Sequence, residues 1–110
     1  MSKKTDKNKN PQFEELSEEA RRLHARIAKE WNIVDAAGLL TLMIACRALD
    51  RLRQAEAIIA AEGIIAKDRF GQPKPHPGCQ IEKEARGGLL HALRAMNLDL
   101  ESLEESDDAA

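Results

Sequence analysis

The residue types best suited to chemistry lie close together in the stretch DRFGQPKPHPGCQIEKEAR, which covers residues 68–86. It holds His76, Cys79 and several carboxylates, together with three of the four prolines of the chain. A histidine base beside a thiol and carboxylates could form an active site or a metal site. The prolines allow a third interpretation, in which the stretch is a shaped connector between two helices.

Neither kind of chemical site finds the partners that it needs elsewhere in the sequence. His76 is the one conspicuous base, and no nucleophile motif such as G-x-S-x-G accompanies it. His76 and Cys79 form a single ligand pair, which is fewer ligands than a structural zinc site requires. His24 and His91 fall on amphipathic helices and Cys46 on an apolar face, where boundary and core positions are expected. We therefore predict a protein that is not an enzyme, with no catalytic residue, no metal and no cofactor.

The composition indicates one small domain with an aliphatic core. The chain has 110 residues, of which 43% are apolar and only 3% aromatic. A core of Leu, Ile and Ala suits helices better than sheets. The sequence has no apolar run near the ~20 residues that span a membrane, no secretory signal and no disulfide framework. The expected location is the cytoplasm, without a membrane partner.

Apolar spacing and capping residues predict three helices. Ser17 and Asp35 are suited to N-cap positions, and Gly63 is suited to the end of the second helix. The X-Pro bonds of the connector exclude a helix before Pro77. The predicted helices cover residues 17–31, 36–62 and 78–96, with a connector at residues 63–77.

The predicted fold is therefore all-α, a long antiparallel helical hairpin with an extra N-terminal helix. We expect a disordered basic tail at residues 1–15, a helical oligomerisation core at 16–97 and an acidic tail at 98–110. The first half of the second helix, AAGLLTLMIACRAL, is apolar nearly all round, which one small neighbour cannot cover. This pattern predicts a homo-oligomer. Gly87 and Gly88, in mid-helix, predict a close backbone contact because glycine is unfavourable there.

The charged residues are unevenly distributed. The net charge of −2 argues against a protein that coats nucleic acid over its whole surface. Two basic features could still bind phosphates, and an oligomer would repeat them as a belt. They are a flexible arm with Lys3, Lys4, Lys7 and Lys9, and a stripe on the first helix with Arg22, Arg26 and Lys29. The acidic tail would repel DNA, so it either solubilises the chain or docks on a basic partner.

Four segments together resemble the small subunits of phage terminases, in the branch found in many siphophages and prophages. They are LSEEARRLHARIAKEW (16–31), ACRALDRLRQAEAIIAAEG (45–63), KDRFGQPKPHP (67–77) and IEKEARGGLLHALRAMNLD (81–99). The resemblance covers residues 16–99, and the order of the segments is more specific than any one of them. The connector motif consists of Asp68, Arg69, Phe70, Gly71, Pro73, His76 and Pro77.

The resemblance implies a non-enzymatic part of a DNA-packaging motor in the cytoplasm of a bacterial host. Members of this family form rings through the helical hairpin, bind double-stranded viral DNA and deliver it to the large subunit, which holds the ATPase and nuclease. By position, the inter-subunit core would be Leu39, Leu42, Met43, Cys46, Leu49 and Leu52. The segment that docks on the terminase large subunit would include Leu98, Leu100, Leu103, Asp107 and Asp108.

The sequence departs from many relatives of this kind in its N-terminal part. Many small terminase subunits carry an N-terminal helix-turn-helix domain, whereas only a 15-residue tail is expected here before the first helix. DNA contacts would then be made chiefly to phosphates, which position a protein without specifying a sequence. Such a ring could package DNA with little sequence preference, as gene transfer agents do. The alternative is a helical-hairpin oligomeric adaptor that does not bind DNA.

Overall fold

The computed structural model of the protein describes residues 11–97. It is mostly helical, with N-terminal helices followed by a long antiparallel helix pair. A small two-stranded hairpin connects the two helices of that pair. The elements in chain order are α1 (Pro11–Glu14), α2 (Glu18–Glu30), α3 (Ala36–Glu62), β1 (Ile65–Lys67), β2 (Pro73–Pro75) and α4 (Pro77–Ala95).

The start of α2 is fixed both locally and by α3. The Ser17 hydroxyl accepts a hydrogen bond from the Ala20 N–H (3.1 Å), which makes Ser17 the N-cap that the sequence predicts. The backbone N–H and the hydroxyl of Ser17 both donate to the carboxylate of Asp50 in α3. A second link between these helices joins Arg53 and Glu19 at 3.0 Å. Because that guanidinium donates to Glu19, it lowers the pKa of the carboxyl.

The bounds of α3 match the prediction at residues 36–62, because its two ends are set by local chemistry. The Asp35 carboxylate accepts from the Gly38 N–H (2.9 Å) and caps the N-terminus. At the other end, Gly63 has φ 87° and ψ 157°, a conformation that is open almost only to glycine. The chain therefore leaves the helix sharply at this residue.

A single aliphatic core lies between α2, α3 and α4. Small side chains such as Ala20, Ala45 and Ala92 are buried in it, so the helices approach one another closely. Phe13 from α1 and Trp31 after α2 pack against its edge. The buried residues of this cluster are Leu16, Ala20, Ile27, Leu42, Met43, Ala45, Cys46, Leu49, Ala92 and Leu93.

The connector contains the first departure from the all-α prediction, because part of it forms a β-hairpin. In the antiparallel pair, Ile65 lies opposite Pro75, Ala66 opposite Lys74 and Lys67 opposite Pro73. Outside these pairs, the His76 N–H donates to the Ile64 carbonyl (2.7 Å) and the Asp68 N–H to the Gln72 carbonyl (3.0 Å). Pro73 and Pro75 therefore occupy the positions whose N–H would point away from β1, so the ladder between the strands loses no bond.

Two further expectations are wrong in detail. The predicted disordered tail extends to residue 15, whereas Pro11–Glu14 forms a turn of helix whose Phe13 packs on the core. Gly87 and Gly88 are exposed, and a Cβ placed at either would meet no atom within 4 Å. Their small size therefore serves no close contact with another part of residues 11–97.

Candidate nucleic-acid interface

The predicted basic stripe on α2 is largely neutralised by neighbouring carboxylates. Arg22 pairs with Glu18 at 3.3 Å, and Arg26 pairs with Glu30 at 2.8 Å, each one helical turn apart. Lys29 is exposed and forms no ion pair with another residue of the described range. The α2 surface therefore presents less net positive charge to a phosphate than the arginines alone suggest.

A different set of cations lies on α3, and sequence reasoning missed it. Arg47 and Arg51 are exposed and form no ion pair within residues 11–97. They continue a line that begins with Leu40 and Ile44, whose side chains are 62% and 52% exposed. We call Leu40, Ile44, Arg47 and Arg51 the outer stripe, because their spacing of four, three and four residues puts them on one face of the helix. The sequence gives this signal for Arg51 only, which has no acidic residue three or four positions away; Asp50 lies three residues after Arg47, but in the structure it binds Ser17.

The residues predicted to form the inter-subunit core have another role in the structure. Leu42, Met43, Cys46 and Leu49 are buried in the core shared with the neighbouring helices, and Leu52 is also buried within the single chain. Little of their surface is left for a second copy, so their predicted role between subunits stays a prediction that the single chain does not support. Only Leu39, at 37% exposure, remains at the surface. The periodicity of α3 correctly identified an apolar helix but could not tell an intrachain neighbour from a second copy.

The tip of the β-hairpin is shaped by Asp68 and Gly71. The Asp68 carboxylate accepts hydrogen bonds from the N–H groups of Phe70 (2.8 Å) and Gln72 (2.9 Å). Gly71 has φ 78°, a left-handed conformation that favours glycine, and its N–H donates to the Asp68 carbonyl. The turn leaves Phe70 75% exposed, with the Arg69 guanidinium 5.3 Å from the centre of its ring. Four of the seven residues of the connector motif thus form a turn with an exposed arginine and an exposed aromatic ring at its tip.

His76 joins the two long helices at the base of the hairpin. Its Nδ1 accepts from the Gly78 N–H at 2.8 Å, which makes His76 the N-cap of α4, and Pro77 follows at the first helical position. The proton of the neutral ring therefore sits on Nε2, which donates to Glu62 at the end of α3 (2.7 Å). The side chain is only 11% exposed. This geometry gives His76 a capping and bridging role.

Replacing His76 with Ala is expected to cost about 1 kcal/mol of stability from the lost cap alone, with further loss from the bridge to Glu62. His76→Asn is the matched control, because Asn caps helices well but is too short to bridge to Glu62. Denaturant unfolding of both variants measures the two contributions. Equal destabilisation by Asn and Ala would contradict the assignment of Nδ1 as the cap.

The remaining candidates for chemistry lie in packed surroundings. Burial, reinforced by the nearby Asp50 carboxylate, raises the pKa of the Cys46 thiol to about 12, so this thiol stays protonated at neutral pH. The ring of His24 packs edge-on against Phe13 with their centres 5.1 Å apart, and burial lowers the pKa of His24. Within the described part of the chain, no three His, Cys, Asp or Glu side chains are placed to hold a metal ion.

Two predicted sites lie outside the described residues. These are the lysine arm (Lys3, Lys4, Lys7 and Lys9) and the docking segment (Leu98, Leu100, Leu103, Asp107 and Asp108). Of the helices between residues 11 and 97, none has the length and apolar character that crossing a bilayer requires. Comparison with known proteins found no family model, no curated protein and no solved structure that matches the chain.

Proposed function

We propose that the protein is the small subunit of a viral DNA-packaging terminase. In this role it is a non-catalytic homo-oligomer that recruits double-stranded DNA to the large ATPase and nuclease subunit and modulates its activity. The observation that carries the proposal is the outer stripe, which places exposed leucine and isoleucine on one long helix beside arginines that pair with no acid among residues 11–97. The proposal also draws on the resemblance between residues 16–99 and the small terminase subunits.

The apolar end of the outer stripe supports assembly. Leu40 and Ile44 of the outer stripe, and Leu39 next to it in the chain, expose 62%, 52% and 37% of their surfaces in the single chain. Burial of apolar area contributes roughly 25 cal/mol per Å², so a second copy that covers these side chains would be stabilised. These three residues replace the five buried ones as the proposed inter-subunit contact.

The basic end of the outer stripe supports contact with DNA. Arg47 and Arg51 lie one and two helical turns beyond Ile44, and no carboxylate of the described chain pairs with them. Assembly through Leu40 and Ile44 would repeat these arginines around the oligomer, so that weak phosphate contacts add up. Such contacts carry no sequence information by themselves, which fits packaging with little sequence preference. The protein would act in the cytoplasm of the bacterial host.

One observation favours the alternative, an oligomeric adaptor that does not bind DNA. The acidic partners of Arg22 and Arg26 neutralise the stripe on α2 that the sequence suggested as a phosphate contact. An adaptor would use the exposed apolar residues for assembly and would have no need of Arg47 and Arg51.

The test combines particle mass with DNA retardation at several salt concentrations. We expect a ring-sized particle that binds duplex DNA, and Arg47→Ala/Arg51→Ala should reduce the slope of log affinity against log salt by about 1.8. The matched control is Arg22→Ala/Arg26→Ala, which removes the same charge from paired positions and should change the slope less. A ring that does not bind DNA at low salt would favour the adaptor, and a monomer would contradict both functions.

Deleting residues 98–110 should abolish stimulation of the large subunit and leave the ring intact.

A further inference from the structure

The β-hairpin is the most exposed regular element of the described chain. We call residues 65–75 the ribbon. Every residue of the ribbon is exposed except Ala66 and Asp68, which are half-buried. Within residues 11–97, no other helix or strand covers Phe70 at its tip, which is 75% exposed. Ile65, in β1, is exposed as well, so the ribbon offers more than one apolar side chain for contact with a partner.

The ribbon carries positive charge in three directions. Side chains that are paired across an antiparallel ladder share a face, and neighbours along a strand alternate. Lys74, opposite Ala66, therefore lies on one face, and Lys67, opposite Pro73, lies on the other. Arg69 lies at the tip. None of these three cations forms an ion pair within residues 11–97, and the only acid of the ribbon, Asp68, is bound by two N–H groups of the turn.

The base of the ribbon is fixed on the two long helices. The His76 N–H donates to the Ile64 carbonyl at 2.7 Å, and the His76 ring connects Glu62 of α3 to the first turn of α4. The turn at the tip is also hydrogen-bonded internally, through Asp68. The charges are therefore held on a stiff projection, so that little conformational entropy is lost when a partner binds.

We propose that the ribbon enters the major groove of double-stranded DNA, an inference that rests on the proposed function. A two-stranded β-ribbon has the right width for this groove, which is ~12 Å wide. Lys67 and Lys74 then contact phosphates on opposite walls, while Arg69 and Phe70 reach base edges. Because Lys67 and Lys74 lie on opposite faces of the ribbon, they fit a groove with a phosphate backbone on each side. A membrane surface presents its charge on one side only, so it would meet one of the two lysines.

The test compares two variants, each of which removes two exposed cations that form no ion pair in the described part of the chain. Lys67→Ala/Lys74→Ala changes the ribbon, and Lys83→Ala/Arg94→Ala changes α4. Binding to a 30-base-pair duplex (length about three helical turns) is measured by fluorescence anisotropy at several salt concentrations. We expect the ribbon variant to reduce the slope of log affinity against log salt by about 1.8, and the α4 variant to leave it unchanged. Phe70→Ala should weaken binding several-fold without changing the slope.

The outcomes of this assay, together with two further measurements, distinguish a failure of this inference from a failure of the proposed function. If the wild-type chain binds duplex DNA and the two double variants behave alike, the ribbon assignment is wrong while DNA binding stands. Absence of wild-type binding at low salt would overturn the proposed function itself. The major-groove ligand methyl green should compete with the protein and the minor-groove ligand netropsin should not; the reverse result overturns the groove assignment. A ribbon variant with a lower particle mass would show that the ribbon contacts other copies instead.

Discussion

Leu42→Ala is expected to lower the free energy of unfolding by about 2–5 kcal/mol. The Leu42 side chain is fully buried among α2, α3 and α4, so its truncation leaves a cavity that the surrounding helices fill only in part. Denaturant unfolding monitored by circular dichroism measures this loss. The experiment also decides what the apolar half of α3 does, because this residue was predicted to join subunits.

Leu40→Ala is the matched control for Leu42→Ala, since it makes the same chemical change two residues away on the exposed face. Leu40 is 62% exposed, so the fold of the single chain should change by no more than about 0.5 kcal/mol. Light scattering should instead report weaker association of the Leu40 variant. If Leu42→Ala left stability intact and dissociated the particle, Leu42 would be an interface residue after all.

Gly63→Ala is expected to destabilise the protein by about 1–3 kcal/mol. The backbone of Gly63 has φ 87° and ψ 157°, which an alanine adopts only with strain, even though no atom lies within 4 Å of the added Cβ. The cost arises in the backbone and not from a clash. Thermal or denaturant unfolding measures it, and a change within error would mean that the exit from α3 can adopt another path.

Gly87→Ala is expected to stabilise the protein, in contrast to Gly63→Ala. Gly87 lies inside α4, is exposed, and has open space at its Cβ position. Alanine is a better helix former than glycine, so stability should rise by about 0.5–1 kcal/mol. A loss of stability at Gly87 would indicate that a neighbouring copy approaches this face of α4.

The elements that the sequence predicts well are those set by local chemistry. Asp35 caps α3 through its own carboxylate, and Gly63 ends it through its own backbone freedom, so both bounds follow from residue type. Ser17 acts similarly for α2. The prolines before Pro77 correctly placed the start of α4, because the restriction that proline imposes acts on its immediate neighbours.

The remaining features depend on contacts between distant parts of the chain. X-Pro bonds indicate extended geometry at Lys74, but only the pairing with Ala66 turns that geometry into a ribbon. Likewise, α3 is apolar on several sides, and the packing of α2 and α4 decides that Leu42 is covered while Leu40 is not. The ion pair of Arg22 with Glu18 follows from helical spacing alone, and the same spacing indicates the pair of Arg26 with Glu30.

The position of the prolines in β2 affects whether a further strand can add to the edge of the ribbon. Pro73 and Pro75 lie where a strand would offer its N–H groups to a further strand, and proline has none to offer. A neighbouring chain therefore cannot extend the sheet along this edge, which is a common route to aggregation. Two copies of the ribbon therefore lack the N–H donors for pairing through their β2 edges, which leaves the edge of β1 as the side of the ribbon where a further strand could add.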